Sequence, residues 1–249
     1  MANEIESSAD AFGAREQEEV RAFFAHARSG YFVEVGANHP TFASQTWHLE
    51  QLGWRGLLVE PQPDLAENLR RRRSAQVFAV ACSSPANAGQ RMTLHVAGAL
   101  SSLERDRMAP GAELQRVIEV PVRTLDDILA EAQAPVPLDL LSLDVEGHEL
   151  KVLEGFTFAR WRPRLVLLED HVGDLDKHRF VTAAGYKLIR RVENNGWYVP
   201  ADAAVEVTPA QRWEIVRKYY LALPFRVLRN ASRRLRQPFK DRLRERRKG

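Results

Sequence analysis

From Arg15 onward the apolar residues Val20, Phe23, Phe24 and Ala27 recur at spacings that share one helical face, and Gly30 ends the pattern. The period then changes. Apolar runs at Tyr31–Val35, Leu57–Glu60, Val77–Val80, Leu138–Leu143 and Leu165–Leu168 are too continuous for half-exposed strands and predict strands covered on both faces. Helical stretches fall between several of them, at Phe42–Leu52, Leu65–Arg72, Leu125–Gln133 and Leu150–Leu153, with Thr124 and Asp127 marking a helix start. This alternation predicts an α/β fold with a mostly parallel sheet and helices on both faces.

Arg91–Val122 departs from the alternation. Its β-prone pieces, Met92–Val96 and Val117–Val122, flank a polar loop with Ser101, Ser102 and Pro110-Gly111, which predicts an insertion over the sheet. After Leu168 a helical stretch near Leu175–Ala184 leads to Tyr186–Arg191 and Trp197–Val199, and Asn194-Asn195-Gly196 between them is the turn signal of an antiparallel hairpin. Thr208-Pro209-Ala210-Gln211 is a capping-box start with proline at the first helical position. The expected organisation is a mobile arm over 1–13, one domain over 14–223 and a basic tail over 224–249.

Composition narrows the classes. The lone cysteine, Cys82, excludes an intrachain disulfide and any multi-cysteine zinc site, and is read as buried packing. No secretory signal or membrane span is visible, so a cytoplasmic location is expected. The net charge of +3 conceals a split: Arg226–Gly249 holds nine Arg and two Lys against Asp241 and Glu245, a local +9 that leaves −6 on Met1–Phe225. In that tail Phe225, Leu228, Leu235, Phe239 and Leu243 fall near one helical face with most arginines elsewhere, and Pro238 should kink it. Such a helix can lie on an anionic bilayer at the inner face of a cell membrane; nucleic acid is the weaker partner, since no recognition module is present.

Candidate chemistry sits at the strand ends. Glu34 closes the first strand, Gly36 allows a sharp turn and close ligand approach, and Glu60 ends the second strand, where a carboxylate can accept two hydrogen bonds from a ribose diol. Together they describe an adenosine pocket, common to NAD and S-adenosylmethionine. A dinucleotide loop needs further glycines against the pyrophosphate, and here Asn38 and Thr41 occupy those places, which disfavours an NAD-linked oxidoreductase. A second acidic group, Asp144-Val145-Glu146-Gly147-His148-Glu149, follows the strand Leu138–Leu143. Asp144 there can position an acceptor, take its proton or hold a metal, whereas Glu149 is read as serving the N-terminal end of the next helix.

The segment Leu138–Glu149, ending in Val152-Leu153-Glu154-Gly155-Phe156, resembles the Asp-Val-Glu-Gly-x-Glu signature of FkbM-type methyltransferases. Gly53–Pro61 is similar to that family's second-strand motif, the first-strand motif agrees, and Val122-Arg123-Thr124-Leu125-Asp126 precedes the signature as expected. The resemblance, over Tyr31–Pro200, implies a Rossmann-like class I methyltransferase with a seven-stranded sheet ending in an antiparallel hairpin. It implies S-adenosylmethionine as cofactor, held by Glu34, Gly36 and Glu60, with Asn38 and Asp144 as further contacts. It also implies transfer to oxygen, with a sugar hydroxyl of a surface polysaccharide, lipid-linked glycan or glycosylated metabolite as acceptor. A non-sugar small molecule is the alternative, and an inactive membrane- or RNA-associated binding protein a more distant one. For catalysis the candidates are Asp144, His171 and Asp170, with His148 behind them; Asp144, Glu169 and Asp170 form an oxygen-ligand set for magnesium.

Overall fold

The computed structural model describes residues 13–108, 112–172 and 175–229. The expected arm, but for Gly13, and the tail from Asn230 onward lie outside the described residues, as does the Pro110-Gly111 turn. The apolar runs become strands β1 (Tyr31–Val35), β2 (Arg55–Val59), β3 (Gln76–Phe78), β7 (Leu140–Leu143) and β8 (Leu165–Glu169), all parallel, and the hairpin β9 (Tyr186–Val192) and β10 (Asn195–Pro200) adds to them antiparallel. Their order, β3-β2-β1-β7-β8-β10-β9, is the expected seven-stranded Rossmann-like sheet. Beside β1 the winding reverses, with β2 on one side and β7 on the other, and a crevice opens at their carboxyl ends.

Alternation along the strands divides the core. Val33, Val35, Leu57, Val59, Leu141 and Leu143 face a layer made by α4 (Leu125–Glu131), α5 (Glu149–Glu154), α6 (Phe158–Trp161) and α7 (Asp176–Ala183). Phe32, Leu58, Leu140, Leu165 and Leu167 face the opposite layer, with Val20 of α1 (Ala14–Phe23), Leu49 of α2 (Trp47–Glu50) and Leu69 of α3 (Pro63–Arg72). The expected insertion is a separate three-stranded sheet of β4 (Ala81–Cys82), β6 (Arg116–Arg123) and β5 (Arg91–Val96), with its own small core of Leu94, Val96, Val120 and Val122. Helix α8 (Pro209–Ile215) begins with the predicted capping box and continues as a π turn over Val216–Leu221.

Two local expectations are corrected. The predicted helix over Phe42–Leu52 is reduced to α2, because Ser44, Gln45 and Thr46 turn their donors onto the Glu34 carboxylate and Ala43 takes a left-handed φ of 55°. The hairpin turns at Glu193-Asn194, with Asn195 and Gly196 inside β10. Asn195 is drawn there because its Nδ2 donates to the buried Glu16 carboxylate of α1 at 2.6 Å, and Trp197 Nε1 donates to the other oxygen at 2.7 Å. Burial exceeds the effect of these two donors and raises the Glu16 carboxyl to about 7.

Candidate functional site

At the head of the crevice the backbone of Gly36 and Ala37 donates to Val59 O, and Asp144 N donates to Val35 O, so the ends of β1, β2 and β7 are drawn together. Gly36 holds φ at 87°, and a Cβ on it would lie 1.7 Å from the Asp144 carbonyl oxygen. Glycine is required there on both counts. Glu60, just past β2, is buried; Asn38 N and Gln62 N donate to its two carboxylate oxygens at 2.9 Å each. Burial outweighs these bonds and lifts its carboxyl to about 7. Gly36, Asn38, Glu60 and Asp144 all line one cleft, closed on its apolar side by Val80, Ala81, Cys82 and Leu94.

Glu34 is not part of that lining. As the alternate residue of β1 it points to the other face, where Ser44 Oγ, Gln45 N and Thr46 Oγ1 all donate to it. Arg73 completes the network: its Nη2 reaches Thr46 Oγ1 at 2.9 Å, its Nη1 reaches Pro40 O at 3.1 Å, and its Nε pairs with Glu50 at 2.8 Å, all buried. Glu34, expected as a cofactor contact, instead turns its carboxylate to the loop over 38–46 and shapes it from behind.

On the β7 and β8 side the acids face one another. Asp144, Glu146 and Glu169 each offer a carboxylate oxygen within 4.8 Å of the others. Glu146 is swung into the cleft by its left-handed φ of 52°, and Ser102 of the insertion donates to its carbonyl at 2.7 Å. Asp144 is reached by solvent but ringed by protein. Desolvation, then repulsion from Glu169, Glu146 and Glu149, raises its carboxyl well above its ordinary value. Glu146 is raised to about 7 by burial and by the charges of Glu169 and Glu149. Burial also raises Glu169, but the hydrogen bond and charge of His171, with the charge of Lys177, outweigh it and leave this carboxyl below its ordinary value. Asp144 and Glu169 are hydrogen-bonded, and of the two Asp144 is the one that favours the proton.

His171 stands at the rim with Nε2 3.1 Å from Glu169 Oε1, and that bond raises the imidazole against the opposite pull of burial. Asp170 is not brought to the cluster. Next to Glu169 in sequence, it turns the other way, accepts from Val172 N at 2.7 Å and faces Arg191 at 3.9 Å, so the third carboxylate is Glu146. His148 is buried between Ser83 Oγ and Glu104 Oε1, 2.9 Å from each, which occupies both ring nitrogens. Glu149, as expected, serves its helix start: its Oε1 accepts from Gly147 N at 2.9 Å, and its Oε2 pairs with Lys177. Sequence reasoning missed Leu94, Gly98, Ala99, Ser101 and Leu103, insertion residues that line the cleft; no spacing relates the insertion to the first-strand loop.

The Methyltransferase FkbM domain model matches residues 34–188. The chain belongs to the FkbM methyltransferase family. No curated protein sequence matches it. Among solved structures it is similar to a TehB-like SAM-dependent methyltransferase from Corynebacterium glutamicum, at 11% identity over 78% of this chain and 96% of that one, with a TM-score of 0.39. The protein is an S-adenosylmethionine-dependent methyltransferase, and the cleft fits that cofactor. Glu60 stands where a ribose diol would be held, the apolar side at Val80–Cys82 suits a flat base, and the acids around Asp144 suit a group bearing positive charge. Asn38, with φ at 47°, occupies a place where a pyrophosphate loop needs glycine.

Proposed function

We propose that the enzyme methylates an alcohol oxygen of a sugar, carried on a surface glycan, a lipid-linked saccharide or a glycosylated metabolite. The observation that carries the reading is the set of acceptors beside the cofactor cleft: Asp144, Glu146 and Glu169 offer oxygens to the hydroxyls of a polyol, and His171 stands at their edge. When bound, S-adenosylmethionine supplies an electrophilic methyl group on a sulfonium. The new C–O bond forms as the C–S bond breaks, so holding the acceptor oxygen on that axis is the main task of the protein. Asp144, which lines the cleft, would hold the hydroxyl.

The hydroxyl must also lose its proton. Glu169 fixes His171 Nε2 as the donor nitrogen, which leaves Nδ1 as the acceptor of that proton. Asp170, paired with Arg191, takes no part. Magnesium is a second reading of the same carboxylates, since three hard oxygen donors within 4.8 Å suit it and it would displace the proton held by Asp144.

Calorimetric titration with S-adenosylhomocysteine beside NAD, followed by transfer of labelled methyl to a panel of sugars and non-sugar alcohols, tests the proposal. Binding of the homocysteine compound that is lost in Glu60→Ala, with turnover on sugars, is the expected result. Turnover only on non-sugar alcohols would replace the sugar reading, preference for NAD would remove the transferase chemistry, and dependence of turnover on magnesium in the presence of a chelator would favour the metal.

A further inference from the structure

The C-terminal helices present a surface that the cleft does not use. Seven of the eleven large hydrophobic side chains exposed among the described residues lie between Trp213 and Leu228. Phe225 is 74% exposed and Leu228 69%, and with Leu221 they follow at spacings of four and three, forming one ridge. An exposed ridge of this kind marks an interaction site more often than it marks nothing.

A groove of about 850 Å³, counted to its open mouth, runs beside the ridge and is lined by Arg191, Arg217, Lys218, Arg226 and Arg229, with Phe225 at its edge. Among the described residues Glu214 pairs with Lys218, and Asp170 lies 3.9 Å from Arg191. Burial, followed by the charges of Arg191 and Arg229, lowers the Arg226 guanidinium, the mark of crowded positive charge. The chain beyond Arg229 adds seven Arg and two Lys against Asp241 and Glu245, so its composition deepens the excess. Whatever meets this face supplies both negative charge and an apolar phase.

We infer that this face docks on an anionic lipid bilayer, with lipid phosphates in the groove beside Arg191 and Arg217, and Phe225 and Leu228 inserted among the acyl chains. A polyanion such as RNA would satisfy the arginines but leave the aliphatic ridge in water, whereas a membrane interface takes both. Among the described residues no helix is long and apolar enough to cross a membrane, so attachment is at the surface. Arg191 also donates to the Tyr219 hydroxyl at 3.1 Å, and through Asp170 the groove backs onto the end of β8, the strand that carries Glu169.

Co-sedimentation of the full chain with vesicles of phosphatidylcholine alone, and with phosphatidylglycerol added, tests the inference, with melting temperature as the check on folding. Binding is expected only where phosphatidylglycerol is present, and to weaken with salt. Arg217→Ser with Lys218→Ser should lower partitioning on the order of thirtyfold. Phe225→Ser with Leu228→Ser should lower it at least about tenfold with the charges intact. Equal binding to neutral vesicles, folded variants that partition like the parent, or RNA binding as tight as vesicle binding and indifferent to the Phe225 and Leu228 changes would each overturn it.

Discussion

Two groups of acids stand at the carboxyl end of the sheet, a few residues from the same crevice, and they are treated in opposite ways. Around β1 and β2, Glu34 and Glu60 are surrounded by donors: a loop closes over Glu34 with Arg73 nearby, and Asn38 and Gln62 amides cover Glu60. Around β7 and β8, Asp144, Glu146 and Glu169 face each other, and for Asp144 and Glu146 the nearest acids add to the effect of burial. In the first group the fold supplies donors to each carboxylate, although burial still raises both carboxyls. The second stays under electrostatic tension until a proton, a cation or an acceptor's hydroxyls enter, which is the property expected of a site and not of a scaffold.

Breaking the first group should have the largest effect. Glu34→Ala leaves Arg73 without one of its buried counter-charges and three donors without their acceptor, at a cost of about 3 kcal/mol or more in urea unfolding. If the variant unfolds like the parent, the loop over 38–46 is held by something other than this carboxylate. Asp144→Asn, in contrast, removes an acid that its neighbours oppose. Its stability at pH 8 should equal or exceed the parent's, while methyl transfer falls about a hundredfold and S-adenosylhomocysteine still binds. A destabilised Asp144→Asn protein would place Asp144 in the scaffold and erase the contrast.

These differences also explain what the chain made legible. The strands, the parallel sheet and the crevice at Gly36 and Glu60 were readable because continuous apolar runs, a glycine that must take positive φ, and a carboxylate at a strand end each leave a local mark; the strand order came from the family resemblance alone. The role of Glu34 was not, because strand alternation puts Phe32 and Glu34 on one face and the donors that claim the carboxylate come ten to twelve residues later. Asp170 and Glu169 are equivalent as letters; which of them enters the cluster depends on how β8 ends and on Arg191, which a distant strand supplies. Asn195-Gly196 is a strong turn signal in isolation, and it was displaced by one buried glutamate on α1.

That glutamate offers a third case: donors outweighed by burial. The Glu16 carboxyl is raised to about 7 in the fold, so the folded state holds a proton that the unfolded chain releases near the ordinary value of 4.5. Stability from this group is therefore complete below about pH 4.5 and is lost as pH rises toward 7. Glu16→Gln does not titrate. Its stability relative to the parent should improve by about 2 kcal/mol between pH 5 and pH 8, read from urea midpoints at the two pH values. A relative stability that does not change with pH would mean that Glu16 stays ionised in the fold, and that Asn195 and Trp197 suffice to hold a buried charge.

The smallest expected effect tests the acid cluster most directly. His171 accepts the acceptor's proton only when neutral, and its bond to Glu169 raises the imidazole above its ordinary 6.5. The logarithm of kcat/KM should therefore climb with pH through a value above 6.5 and level off beyond it. In Glu169→Gln the charge is gone, so the climb should move down toward 6.5. In His171→Gln it should disappear, with a loss of about tenfold on the plateau. If the climb survives in His171→Gln, the proton passes to the acids instead, since Asp144 and Glu146, both raised, also change charge as pH rises. In that case Asp144→Asn or Glu146→Gln should abolish the limb, and the base lies within the group of acids and not at its rim.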